Sequence, residues 1–199
     1  LDCPAWIHHK QKNAWKGPVF DPEALQTASG REKLRQLARR YYQVLYQAVR
    51  RYDKHHLIFG DRYEANNPMS GEVIQEAVPW IDVLSFQHFD SAEEIARNFN
   101  YFHKLTGLPV ILADCGVPDY RTWRLGYFAH KTGLYAEILQ KLQTSVPSCV
   151  GFQFCGAYLR NKVRKHGLYT PDGQPDPALP AISEANFKLL QWVEEAGER

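Results

Sequence analysis

Residues 107–116 read GLPVILADCG, and this stretch decides the fold. Gly107 and Pro109 punctuate the chain. Val110, Ile111, Leu112 and Ala113 then form an unbroken apolar run that Asp114 closes. A short continuous run bounded by turn residues reads as a strand buried on both faces, as in a parallel sheet. Upstream, residues 91–105 have helical spacing, with Ser91 as cap, Glu94 three residues on and Gly107 at the end. Further upstream stand a strand at 82–87 (DVLSFQ), a helix at 70–78 and a strand at 57–60 (LIFG). Downstream come a helix at 125–146, a strand at 149–155 (CVGFQFC), a Pro/Gly/Asp-rich loop and a helix at 182–195.

A long helix precedes this series. Leu34, Leu37, Ala38, Tyr41, Tyr42, Leu45, Ala48, Val49 and Tyr52 recur at helical spacing, with Ser29 as cap and Glu32 three residues later. Strands alternating with helices mean βα units and a parallel sheet. A complete eight-stranded α/β barrel needs about 250 residues. Four strands in 199 residues therefore predict a half-barrel. The expected organisation is one domain, 1–199, with an irregular extension at 1–30 and a parallel (βα) half-barrel of TIM-barrel type at 31–199. An open doubly wound sheet is the alternative, but no Gly-rich phosphate loop follows any strand. A half-barrel leaves two open sheet edges. The expected solution is a homodimer in which two halves close one barrel about a two-fold axis.

Composition sets the class. With 44% hydrophobic and 23% charged residues the chain can build a core. No run approaches the ~18 apolar residues of a membrane span. A net charge of +2 is too small to make nucleic acid the main partner. The basic residues Arg31, Lys33, Arg35, Arg39, Arg40, Arg50, Arg51 and Lys54 read as the solvated outer face of the long helix. The chain opens on Leu1 without a signal-peptide pattern, so it reads as a processed or partial chain of the cytoplasm. Cys3, Cys115, Cys149 and Cys155 contain no C-x-x-C pair and read as reduced thiols.

Functional residues of parallel α/β folds gather at the C-terminal strand ends. Here those ends are polar. Asp61, Arg62, Tyr63, Glu64, Asn66 and Asn67 follow the first strand, and Gln87, His88, Phe89 and Asp90 the second. Asp114, Cys115 and Gly116 follow the third, and Gln153, Cys155, Tyr158, Arg160 and Asn161 the fourth. The opposite loops are short and chemically plain. Carboxylates, amides and aromatic rings together suit a sugar. Glycoside hydrolysis needs two carboxyl groups, about 5–5.5 Å apart in retaining enzymes and about 6.5–9.5 Å apart in inverting ones. Asp114, at the end of a wholly apolar strand, is the leading candidate. The alternative is a strand-end aspartate that hydrogen-bonds the next loop.

The segments YYQVLYQAVRRYDKHHLIFGDRY, IDVLSFQHF, TGLPVILADCG and VGFQFCGAYLRN carry a resemblance. Together they are similar to the C-terminal half of a clan A glycoside hydrolase barrel, in particular the β-agarase and β-galactosidase-like families 50 and 42. The resemblance implies hydrolysis of a β-linked sugar, galactoside or agar-like, without metal or organic cofactor. It makes Asp114 the nucleophile or general base, where those families carry Glu. Asp is one methylene shorter, which sets the carboxylate roughly 1.5 Å back. The family acid/base position falls near Asp2; Glu64 is the other candidate acid. Asp61, Arg62, Tyr63, Gln87, His88, Tyr158, Arg160 and Asn161 are the expected substrate-binding residues. Two other function classes remain open: a non-catalytic, vestigial sugar-binding half-barrel, and a metal-dependent hydrolase using Cys3, Cys115, Cys155 and His88 at the mouth.

Overall fold

The structure is a computed structural model that describes residues 22–66, 69–116, 118–125, 128–155, 167–170 and 172–197. Helix α1 (Ala28–Arg50) is followed by β1 (Arg62–Glu64), α2 (Gly71–Ala77), β2 (Leu84–Gln87), α3 (Ala92–Thr106) and β3 (Val110–Cys115). Then come β4 (Pro118–Asp119), β5 (Ala129–His130), α4 (Leu134–Ser145), β6 (Cys149–Phe154) and α5 (Leu179–Gly197). The main sheet is parallel, in the order β1-β2-β3-β6, and carries the α/β half-barrel pattern expected from the sequence. β4 and β5 form a small antiparallel pair. Among the described residues no helix is long and apolar enough to cross a membrane.

Contacts divide the chain into two compact units. One holds the described residues through His88, with Asn98–Ala113 and Ser148–Gly151. Its α1 starts at Thr27, whose hydroxyl accepts from Gly30 N at 3.0 Å, two residues before the expected cap Ser29. Leu34, Ala38 and Tyr42 bury one side of α1 at four-residue spacing. Arg39 grips Glu76 of α2 through two bonds of 2.8 and 3.1 Å. In β1 and β2, Arg62 pairs with Ser85, Tyr63 with Phe86 and Glu64 with Gln87. Phe86 packs against Tyr63, Phe99 and Phe102 at centroid distances of 5.7, 5.1 and 5.3 Å. Bonds from Leu84 N to Pro109 O and from Val110 N to Ser148 O start the neighbouring ladders.

The expected strand at 57–60 is displaced. Gly60 takes a left-handed φ of +68°, which breaks the extended run. The strand forms instead at Arg62–Glu64, so these three residues lie within the ladder rather than in the loop beyond it. Helix α3 follows the sequence reading: Ser91 Oγ accepts from Glu94 N at 3.3 Å, and Gly107 leaves the helix at φ +74°.

The second unit holds Phe89–Arg97, Asp114–Pro147 and the described residues from Phe152 on. Tyr135, Leu139, Ala178 and Ile182 form its core, with Phe152, Phe154, Leu168, Ala185 and Leu189 against it. The helix expected from residue 125 begins only at Leu134, after Gly133 at φ +87°. Before it, Thr122 Oγ1 donates to Asp119 O at 2.7 Å and accepts from Ala129 N at 2.8 Å, which closes the β4–β5 turn. α5 starts three residues before position 182, because Asp176 Oδ1 accepts from Ala178 N at 2.9 Å.

Candidate functional site

The sequence-predicted residues fall into groups that do different work. In the first unit, Asp61 is a bracket between α1 and β1. Its Oδ1 accepts from Tyr41 at 2.9 Å and its Oδ2 from Tyr42 at 3.0 Å. The Tyr42 hydroxyl also lies 2.9 Å from that of Tyr63. Tyr42 has one proton, which it gives to Asp61, so Tyr63 donates to Tyr42. Burial, then the neighbouring Tyr63 and Asp61, push the Tyr42 phenol far above its ordinary pKa and keep it a neutral donor. Tyr63 is 0% exposed. Through the Tyr42 hydroxyl it ties β1 to α1.

Glu64 and Gln87 are the last residues of β1 and β2, opposite each other and half-buried. Ala65 N donates to Gln87 O at 2.8 Å, which extends the ladder to this end. Arg62 is exposed. His88, one residue beyond β2, is buried, and Asn98 Nδ2 donates to its Nε2 at 2.8 Å. An accepting Nε2 means that the neutral ring carries its proton on Nδ1. The pair therefore sets the tautomer of the imidazole. Asn98 lies ten residues away on α3, and no local sequence signal marks it as a partner.

In the second unit, Asp114 is the penultimate residue of β3 and half-buried. Cys115 beside it is buried, and burial, then Asp114 and Cys155, push its thiol above the usual range. A thiol so raised is protonated and a poor nucleophile or metal ligand. Cys155 N donates to Cys115 O at 2.5 Å, closing the β3–β6 ladder. Phe89 is partly exposed, and a side chain at Gly116 would meet its ring edge at 3.4 Å. Gly116 thus lets the chain after Asp114 pass close to an aromatic ring.

A buried pair in the same unit escaped the sequence reading. His130 N donates to Asp176 Oδ2 at 3.2 Å, and the His130 ring packs on Phe154 at 4.7 Å. Asp176 had a readable signal, an Asp-Pro pair just before a helix; His130 had none. Asp2, Tyr158, Arg160 and Asn161 lie outside the described residues, as does Cys3. Among the described residues no group of three His, Cys, Asp or Glu is placed to hold a metal ion. The groove between α4 and α5, about 330 Å³, is lined by Leu139, Ala185 and Leu189 and by the paired Glu184 and Lys188.

Neither a protein-family model nor a curated protein matches this sequence. Solved structures do. PfGH50B matches with a TM-score of 0.69 at 17% identity, over 87% of this chain and 26% of its own. The fold is that of part of a TIM-type barrel. An exo-β-agarase matches with a TM-score of 0.63 at 20% identity, over 82% of this chain and 24% of its own. A glycoside hydrolase family 5 mannosidase from Rhizomucor miehei matches with a TM-score of 0.55 at 14% identity, over 79% of this chain and 49% of its own. The chain spans about a quarter of the length of the first two structures and about half of the third. The structural neighbours are glycoside hydrolases.

Proposed function

We propose that the chain belongs to a glycoside hydrolase acting on a β-linked sugar, with a galactoside or agar-like chain as the preferred substrate class. One observation carries the reading: Glu64, Gln87 and Asp114 each stand at the C-terminal end of a strand in a parallel sheet. That end is where barrel enzymes do their chemistry. The resemblance to families 50 and 42 read in the sequence supports the substrate class.

Asp114 is the nucleophile or general base at the anomeric carbon. Glu64 or Asp2 is the acid that protonates the leaving oxygen. Gln87, Arg62, Tyr158, Arg160 and Asn161 hold sugar hydroxyls. His88, buried and held in one tautomer by Asn98, steadies the end of β2. Phe89 offers an aromatic face to the pyranose C–H groups. Asp61 supports the wall through Tyr41 and Tyr42. This mechanism requires no metal or organic cofactor.

The test is hydrolysis of aryl β-glycosides by the native chain and by Asp114→Asn and Glu64→Gln. The expected result is turnover that Asp114→Asn abolishes. Turnover that survives Asp114→Asn would remove Asp114 from the mechanism. The Asp at position 114, in place of the Glu of the similar families, favours a second reading, saccharide binding without turnover. Calorimetric binding of an agar oligosaccharide with no product after long incubation selects that reading.

A further inference from the structure

The loop that joins β3 to α4 concentrates positive charge. Residues 116–133 carry Arg121, Arg124 and Lys131 against the single carboxylate of Asp119. All three cations are exposed. The pairing of β4 with β5 closes the base of the loop, with Pro118 opposite His130 and Asp119 opposite Ala129. A 3₁₀ turn, Tyr120–Leu125, stands between the two strands. Such a turn has three residues per revolution, so side chains three apart stack on one side. Arg121 and Arg124 are three apart. Two guanidinium groups therefore leave the same side of the turn, from positions roughly 6 Å apart along its axis.

Like charges on one side repel, and the loop offsets this at one of them. Arg121 Nε donates to Asp119 Oδ1 at 2.8 Å and to Oδ2 at 3.0 Å, and Arg121 Nη2 donates to Oδ2. A guanidinium has five N–H groups, so both on Nη1 and one on Nη2 remain for a further acceptor. Among the described residues no carboxylate stands within ion-pair distance of Arg124 or Lys131. Lys131 follows His130, opposite the start of β4, and its field adds to the bonds of Arg121 in holding the Asp119 carboxyl low. The loop is thus an ordered donor surface with an excess of cations.

This surface belongs to the same compact unit as Asp114. The loop leaves the strand end on which Asp114 stands. Asp119 comes five residues after Asp114, so their Cα atoms lie within about 18 Å of each other. A saccharide of a few units with one ring at Asp114 spans that distance.

We propose that the side of the turn carrying Arg121 and Arg124 binds an anionic substituent, a sulfate ester or a carboxylate, on the sugar chain acted on at Asp114. Guanidinium forks match the paired oxygens of either group. Asp119 holds Arg121 in place beforehand, which reduces the side-chain freedom lost on binding. Arg124 supplies a second fork, and Lys131 adds charge without a fixed geometry. Sugar hydroxyls call for acceptors as well as donors, and these cations are donors only. The inference rests on the saccharide reading above and narrows it to acidic chains over neutral ones.

Calorimetry tests it on Asp114→Asn, which leaves the ligand uncleaved. The probes are three oligosaccharides of equal length, a neutral agar fragment, a sulfated galactan fragment and a uronate-bearing fragment, together with inorganic sulfate. One acidic fragment is expected to bind about tenfold tighter than the neutral one, the gain from one added charge-assisted contact, and its identity names the substituent. Added salt should shrink that advantage. Adding Arg124→Ala, with unchanged circular dichroism, should remove most of it and leave the neutral fragment's affinity unchanged; Arg124→Lys should keep part of it. Equal affinity for neutral and acidic fragments overturns the inference and leaves the saccharide reading standing. Binding of none of the three overturns both. A preference that survives Arg124→Ala, or inorganic sulfate bound as tightly as the sulfated fragment, also overturns the inference.

Discussion

The side-chain amide of Asn98 donates to Nε2 of His88 across 2.8 Å, tying the residue just beyond β2 to the middle of α3. A buried imidazole with an accepting Nε2 keeps its proton on Nδ1. Asn98→Ala removes that donor and is expected to cost about 1–3 kcal/mol, the range for stripping a partner from a buried polar group. Nitrogen-15 spectra of the imidazole read the effect directly. The expected change is a shift of the Nε2 resonance away from that of a hydrogen-bonded acceptor; an unchanged spectrum would show that Asn98 does not set the tautomer.

The phenol chain from Tyr63 through Tyr42 to Asp61 makes a second prediction. Tyr42→Phe keeps the ring in the core but removes the hydroxyl that joins Asp61 to Tyr63. Urea denaturation should show a loss of about 1–3 kcal/mol. Tyr41→Phe, at a half-buried position with one bond to Asp61, should cost less. Equal losses would contradict the account of Tyr42 as the centre of the bracket.

Asp176 holds two segments at once, the start of α5 through Ala178 N and the β5 strand through His130 N. Asp176→Ala loses both acceptors, and helix-cap losses alone run to about 0.5–2 kcal/mol. Asp176→Asn keeps one carbonyl oxygen and should fall between the native chain and the alanine variant. Thermal unfolding orders the three proteins; an asparagine variant as damaged as the alanine variant would show that the charge, not the acceptor, matters.

Acid should act on the pair Asp119 and Arg121. The guanidinium of Arg121, bonded to both carboxylate oxygens, and the Arg121 N–H hold the Asp119 carboxyl down to about 2. A carboxyl depressed in the folded state contributes stability above its unfolded pKa near 4. That contribution is lost as pH falls through about 2. Carbon-13 titration of Asp119 should report the low midpoint, and Arg121→Ala should return it towards 4. Because the pair is exposed, added salt should shrink the shift. A midpoint near 4 in the native chain would contradict the geometry.

The strand–helix alternation was legible because the apolar runs at β2, β3 and β6 are continuous and bounded by turn residues. The start of α3 was legible from Ser91 and its end from Gly107. Gly60 misled, since its left-handed backbone ends an apolar run that looks like a strand and moves β1 past Asp61. The segment before Leu134 misled because the Thr122 bonds, made across several residues, outweigh helical spacing. In the site, polar residues closing apolar strands were readable, as with Gln87 and Asp114. The burial of Tyr63, the Asn98 bond to His88 and the pairing of His130 with Asp176 join residues distant in the chain, and spacing carries no trace of them.

The most direct test of the functional reading is the rate at which the native chain and Asp114→Asn cleave an aryl β-galactoside. Catalysis by this carboxylate predicts measurable turnover by the native chain. It also predicts a fall of at least about a thousandfold in Asp114→Asn, of the order seen when a group acting directly in a hydrolytic mechanism is removed. Equal rates for the two proteins would contradict the assignment of Asp114 and the mechanism built on it.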